Sequence, residues 1–121
     1  MKTQEQFIID TLLPYKEDPE TRAVSRYDLC TYLTDDGKKC AIGKHLKEGN
    51  WQSYVGSVKA LNEEFTLSEI LTDEAKEQNF DLKDWFDMQN YHDTFNVESA
   101  ANQHLIRLEQ NLNINLGVLY L

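Results

Sequence analysis

Cys30, Cys40, His45 and His92 are the residues in this chain whose types could do chemistry. Two thiols and two imidazoles are a sound zinc set. Their spacing argues against it, because no CxxC or HxxxH knuckle is present, and no metal is expected. Cys40 and His92 also form a nucleophile and base pair on paper. Asp93 or Asp28 would orient the imidazole, and Lys38, Lys39 and Lys44 would lower the thiol pKa. No local signature frames either residue, so Cys40 and His92 are the catalytic candidates only if the chain is an enzyme. A third arrangement is the lysine-rich segment 38–47 around Gly43. A glycine flanked by lysines admits a small anion against backbone N–H groups. It lacks the glycine spacing and the Ser/Thr of a Walker A loop, and no cofactor is expected. Gly43, Lys44, Gln89 and His92 are the ligand-binding candidates.

A hairpin is expected to position these groups. Asp35-Asp36-Gly37 lies between two short β-prone runs, and a three-residue loop closed by a left-handed glycine joins such runs. That register predicts strands at about 28–34 and 38–43. Alternation puts Cys30, Tyr32, Cys40 and Ile42 on one, buried face, and Thr31, Leu33, Lys39 and Ala41 on the other. The two cysteines are then diagonal neighbours about 7–8 Å apart, farther than the Cα separation of about 6.8 Å that a disulfide tolerates. They are read as thiols.

Helices supply the rest. Thr3 and Gln6 make a capping box for a helix from about Gln4, with Ile8, Ile9, Leu12 and Leu13 on one side. Pro14 is expected to stop or kink it. Asp18-Pro19 opens a short helical turn. Ser57 caps a helix carrying Val58, Leu61 and Phe65, and Leu67, Ile70 and Leu71 suggest another short piece. Thr72 begins one more through Glu77. Asp81 caps the clearest helix, with Leu82, Trp85, Phe86, Gln89 and His92 inward and Asp84, Asp87 and Asn90 on the wet side. Gln89 or His92 is expected to bond the hairpin's spare backbone groups, and Asp93, about 100° round the helix, need not form a close ion pair with His92. Asn96 caps the last helix, whose stripe is Ala101, Leu105, Leu108 and Leu112. The β-prone tail 113–121 suggests a third strand at the C-terminus.

The pattern Cys30-x-Tyr32, Gly37-Lys38-Lys39-Cys40-Ala41-Ile42-Gly43 and Gln89-x-x-His92-Asp93 resembles a family of small uncharacterised proteins. They are found in bacteria, phages and other mobile elements. The likeness covers residues 28–93 in order and approximate spacing. In that family the Cys-Ala-x-Gly segment is commonly followed by another cysteine and an Ile-Pro-Asp-like stretch. Lys44 and His45-Leu46-Lys47 stand there in this chain, which removes any argument from a third thiol. The resemblance marks positions to watch and implies no activity.

Size and charge set the outer bounds. A chain of 121 residues with 40% hydrophobic residues and thirteen aromatics reads as one globular domain over 1–121. No run reaches the roughly 20 apolar residues of a membrane span, and no signal peptide is evident, so the chain reads as cytoplasmic. The net charge of −9 lies wholly in residues 61–121, which hold twelve Asp/Glu against three Lys/Arg. Such a surface repels nucleic acid and membrane anions, so neither is expected as a direct partner. The expected fold is α+β, mostly α-helical, with the hairpin across the helices near 57–65 and 81–94. The expected function is a non-enzymatic interaction module of mobile-element or phage type that presents its acidic surface to a basic protein partner. The alternative is a binder of small anionic or nucleotide-like ligands, or a small Cys/His hydrolase. Its pocket would lie between the hairpin and helix 81–94.

Overall fold

The computed structural model describes residues 2–22, 38–49 and 58–121, apart from the side chains at 60 and 64. Six α-helices occupy them: α1 (Gln4–Glu17), α2 (Val58–Phe65), α3 (Leu67–Ile70), α4 (Asp73–Glu77), α5 (Leu82–Asp93) and α6 (Glu98–Leu112). Three 3₁₀ turns join them, at Pro19–Thr21, Gly43–His45 and Gly117–Leu119. The described residues contain no β-strand, sheet or hairpin, so the α+β expectation is wrong and the fold there is helical.

The hairpin fails for a reason visible in its second half. Residues 38–43 do not run as a strand. Lys44 N–H bonds the Cys40 carbonyl at 3.1 Å and His45 N–H bonds the Ile42 carbonyl at 2.8 Å, which are helical and 3₁₀ spacings. Cys40, Ala41, Ile42 and Gly43 are all buried in succession, whereas a two-faced strand would have alternated. Ala41, expected on the outer face, is fully buried. The first strand at 28–34, the turn at Gly37 and the side chains of Cys30 and Tyr32 lie outside the described residues.

The C-terminal tail is not a third strand either. Asn113 ends α6 in the left-handed conformation, φ 55°, and the chain then forms the Gly117–Leu119 turn. Side chains take up its backbone groups. Glu5 accepts from Asn115 N–H, Glu109 from Leu116 N–H, and Asn102 brackets Leu121. Tyr91 donates its hydroxyl to the Leu119 carbonyl at 2.7 Å. Leu116 and Leu119 fill the core between these ties. Side-chain partners, with short-range backbone bonds at Ile114, Leu119 and Tyr120, leave the tail no need of a ladder.

The helix ends follow the caps. Thr3 and Thr72 accept from Gln6 and Ala75 N–H, but the Thr3–Gln6 capping box is only half formed, since the Gln6 side chain donates to Asp10 instead. Asp81 and Asp84 form a reciprocal capping box that starts α5. Pro14, in contrast, does not end α1, which runs to Glu17. Proline there removes the hydrogen bond to the Asp10 carbonyl. Both residues are exposed, so water can replace it at low cost. The last helix starts at Glu98 behind Val97. Asn96 does not cap it; its side chain accepts from Arg22.

One buried cluster draws on every helix. Phe7, His45, Phe80 and Trp85 meet ring to ring, with Phe7 and His45 4.4 Å apart and Phe80 edge-on to Trp85. An antiparallel bridge between Leu46 and Leu71 stitches the Gly43–His45 turn to the α3–α4 junction. Two bonds carry it, Lys47 N–H to Ile70 and Thr72 N–H to His45, both 2.8 Å. No described helix is long and apolar enough to cross a membrane.

α5 sits between two partners and buries two faces. Trp85, Gln89 and His92 turn toward α1 and residues 40–45. Asp84 and Asp87, expected on the wet side, are buried at 2% and 6% exposure. α6 explains them. Asn111 donates to Asp84 at 2.6 Å, and His104 lies 2.8 Å from Asp87 with Arg107 at 3.8 Å. Phe86, expected inside, is left 41% exposed. The α6 stripe is as expected at Ala101, Leu105 and Leu108, all fully buried. Leu108→Ala should therefore cost on the order of 2–5 kcal/mol in urea denaturation. A loss under about half a kcal/mol would show that the α5–α6 seam collapses around the gap.

Candidate functional site

The groups with chemical potential gather where α1, the 40–45 turn and α5 meet. Gln89 anchors the junction. Its Oε1 accepts the Ile42 N–H at 3.2 Å, and its Nε2 donates to Asp93 Oδ1 at 2.8 Å. The expected tie from α5 to this segment is therefore present, made to a turn rather than to a strand. His92 is fully buried. Its ring stands edge-on to Tyr15 at 4.8 Å, and its Nδ1 lies 2.8 Å from Asp93 Oδ1. A pairing that the helical angle does not require is thus present between His92 and Asp93. A residue one step along a helix starts about 100° round it, but the Asp93 carboxylate bends back and bonds Gln89 and His92 together.

Cys40 is completely buried. Its sulfur accepts the Gly43 N–H at 3.2 Å. Burial pushes the thiol far above its ordinary pKa, more than the donation from Gly43 opposes, and nearby Asp93 adds to the rise. A nucleophilic cysteine needs the reverse, an accessible and electropositive setting. Gly43 is buried, with its N–H committed to that sulfur. Among the described residues no group of three or more His, Cys, Asp or Glu side chains is placed to hold a metal ion.

Lys44 and His45 leave the turn on the α1 side. Lys44 Nζ donates to the Thr11 carbonyl at 2.8 Å and sits 3.9 Å from the centre of the Tyr15 ring. Burial lowers its pKa to about 8. The Tyr15 hydroxyl donates to the Lys39 carbonyl at 2.6 Å. Thr11 Oγ1 donates to the Phe7 carbonyl and lies 2.8 Å from His45 Nε2. The hydroxyl has one proton and gives it to Phe7. The imidazole must therefore donate, which assigns the proton to Nε2. Burial, with the positive charges of Lys44 and Lys2, holds the His45 pKa down at about 4.

The structure thus brings Cys40, Gly43, Gln89 and His92 together in a filled junction, while Lys44 turns away from it to α1. Sequence reasoning missed Thr11, Tyr15 and Thr21. Thr11 and Tyr15 lie four apart on α1, on the stripe of Phe7 and Ile8, and that spacing was readable. Their partners in residues 39–45 were not, because only tertiary packing sets them. Against this geometry, comparison with known proteins finds no matching family model, no matching curated protein and no matching solved structure.

Two tests follow from the junction. Gln89→Leu leaves the Ile42 N–H buried without its acceptor and should cost about 1–3 kcal/mol; an unchanged urea midpoint would show that the bond ties nothing. The folded pKa of His45 lies below its unfolded value near 6.5. Its contribution is therefore full above pH 6.5 and is lost as pH falls toward 4, because the unfolded chain takes up the proton first. Wild-type stability should drop by on the order of 2–3 kcal/mol through this window, and His45→Gln should remove that part of the slope. Superimposable pH–stability curves would contradict it.

Proposed function

We propose that this chain is a non-enzymatic interaction module that meets a basic protein partner through the acidic surface of α2–α4. The reading is carried by how ten of the twelve carboxylates of the second half divide. Asp84 and Asp87 are buried against α6, Asp93 is bonded to Gln89 and His92, and Glu109 serves the tail. Glu63, Glu69, Asp73, Glu74, Glu77 and Asp81 are exposed, with Lys76 the single basic residue between positions 63 and 81. Glu74 also lies 3.8 Å from Lys2. Exposed like charges of this density steer an oppositely charged protein and reject anionic surfaces.

The hydrolase alternative loses support from the burial and raised pKa of Cys40. A free buried thiol is compatible with a reducing, cytoplasmic setting. The mobile-element or phage context rests on the motif resemblance alone.

The test is a partner pull-down at low and high salt. A Lys/Arg-rich protein should be retained at about 0.05 M salt and released by about 0.5 M, where the screening length shrinks several-fold. Glu69→Gln, Asp73→Asn and Glu77→Gln together should abolish capture without changing the melting temperature. A complex that survives both treatments would mean that another surface holds it.

A further inference from the structure

A concave opening of about 360 Å³ lies beside α1, lined by Pro14, Tyr15, Thr21, Lys38, Lys39 and Lys44. This size is at the lower end for small-molecule sites. It is separate from the acidic α2–α4 surface and from the filled Cys40–His92 junction. Three lysines line it, and residues 38–47 contain no acidic side chain. Their stems and Pro14 make its walls mostly apolar, with the ammonium groups as its charge.

Lys44 is the informative one. It is half-buried, and its Nζ is held by the Thr11 carbonyl and the Tyr15 ring. Among the described residues no carboxylate pairs with Lys44 or Lys39. A desolvated ammonium beside a carbonyl and a ring face lacks its counter-ion, which is why burial lowers its pKa to about 8. Tyr15 holds the Lys39 backbone in place through its hydroxyl, so the lysine pair projects from a fixed strip of chain. The C-terminal end of α1 carries about half a negative charge, and the exposed Glu17, Asp18 and Glu20 stand on the same stretch of chain as Pro14 and Thr21, so the site rests on the two ammonium groups of Lys39 and Lys44.

The geometry points to a binding site for a small molecule bearing a phosphate or carboxylate group, seated against Lys39 and Lys44 with its carbon skeleton toward Pro14. The anion would complete the charge that Lys44 lacks and receive charge-assisted bonds from both lysines. Thr21, whose hydroxyl donates to the Asp18 carbonyl, fixes the far rim.

The test is a ¹⁵N NMR titration with inorganic phosphate, against sodium chloride at equal ionic strength. A parallel arm is co-sedimentation with phosphatidylglycerol vesicles, which separates a lipid headgroup from a soluble phosphate. Phosphate should give saturable shifts confined to residues 14–21 and 38–45, with no response to chloride. Lys39 is exposed, so Lys39→Gln should fold normally and weaken binding by about tenfold. Lys44→Met should abolish it, with the melting temperature checked in parallel. Vesicle binding that Lys39→Gln weakens, without a phosphate response, would assign the phosphate to a lipid headgroup. No saturable response in either arm, or binding that Lys39→Gln leaves unchanged, overturns the site. None of these readouts involves the α2–α4 carboxylates, so this site and the partner surface can fail separately.

Discussion

The hydrogen bond from Ile42 N–H to Gln89 Oε1 is the constraint around which the other tertiary contacts fall into place. It holds a buried run of four residues, Cys40 to Gly43, against α5. A chain buried on all sides has to satisfy every backbone group internally. Here a side chain from α5, a cysteine sulfur and short-range 3₁₀ bonds share that work. Once the turn is pinned, the direction of the next residues follows. Lys44 and His45 point to α1, where Thr11 and Tyr15 receive them. Leu46 is delivered to Leu71, and the α3–α4 junction is fixed in turn. Asp93 bonds both Gln89 and His92, so the acceptor that holds Ile42 is itself held. A paired, fully buried polar group of this kind costs little to keep and much to break.

The helices were legible because their signals are local. Thr3, Thr72 and Asp81 are caps whose partners lie three residues on, and Ala101, Leu105 and Leu108 repeat at the helical period. The 38–43 strand was misread because the same local signals are ambiguous there. A short buried run flanked by glycine and lysine suits a strand or a turn equally well. What decides between them is Gln89, 47 positions away in the chain. The C-terminal tail repeats the lesson. Its β-prone residues form a 3₁₀ turn because Glu5, Glu109, Asn102 and Tyr91 satisfy its backbone from elsewhere.

α5 was found at the right place and with one wrong face. Acidic side chains on a helix are usually solvated, and Asp84 and Asp87 were read that way. α6 offers Asn111 and His104 at the matching heights, so the seam between the helices is partly polar. Burial raises the Asp84 pKa, although Asn111 and the Asp81 backbone oppose the rise. With α1 and residues 40–45 against its other side, α5 has little surface left for water. Leu82 and Phe86 fall on that remainder, which is why two apolar residues are exposed while two acids are not.

This partition changes how the charge should be understood. The net −9 of the chain suggests a uniformly acidic molecule. Several of those acids are spent inside it, and the described exposed acids of residues 61–121, Glu98 apart, lie between positions 63 and 81. The lysine segment 38–47 is joined to that region by two main-chain bonds, so opposite charges are carried on adjoining parts of one scaffold. Exposed charges are largely screened beyond about 8 Å at physiological ionic strength. A small anion near Lys39 and Lys44 therefore responds to those two ammonium groups far more than to the net charge. A large basic protein spans many screening lengths and reads the acidic stretch as a whole. Two ligands of opposite sign can thus be served by one small fold, provided the basic site is concave and the acidic one is open.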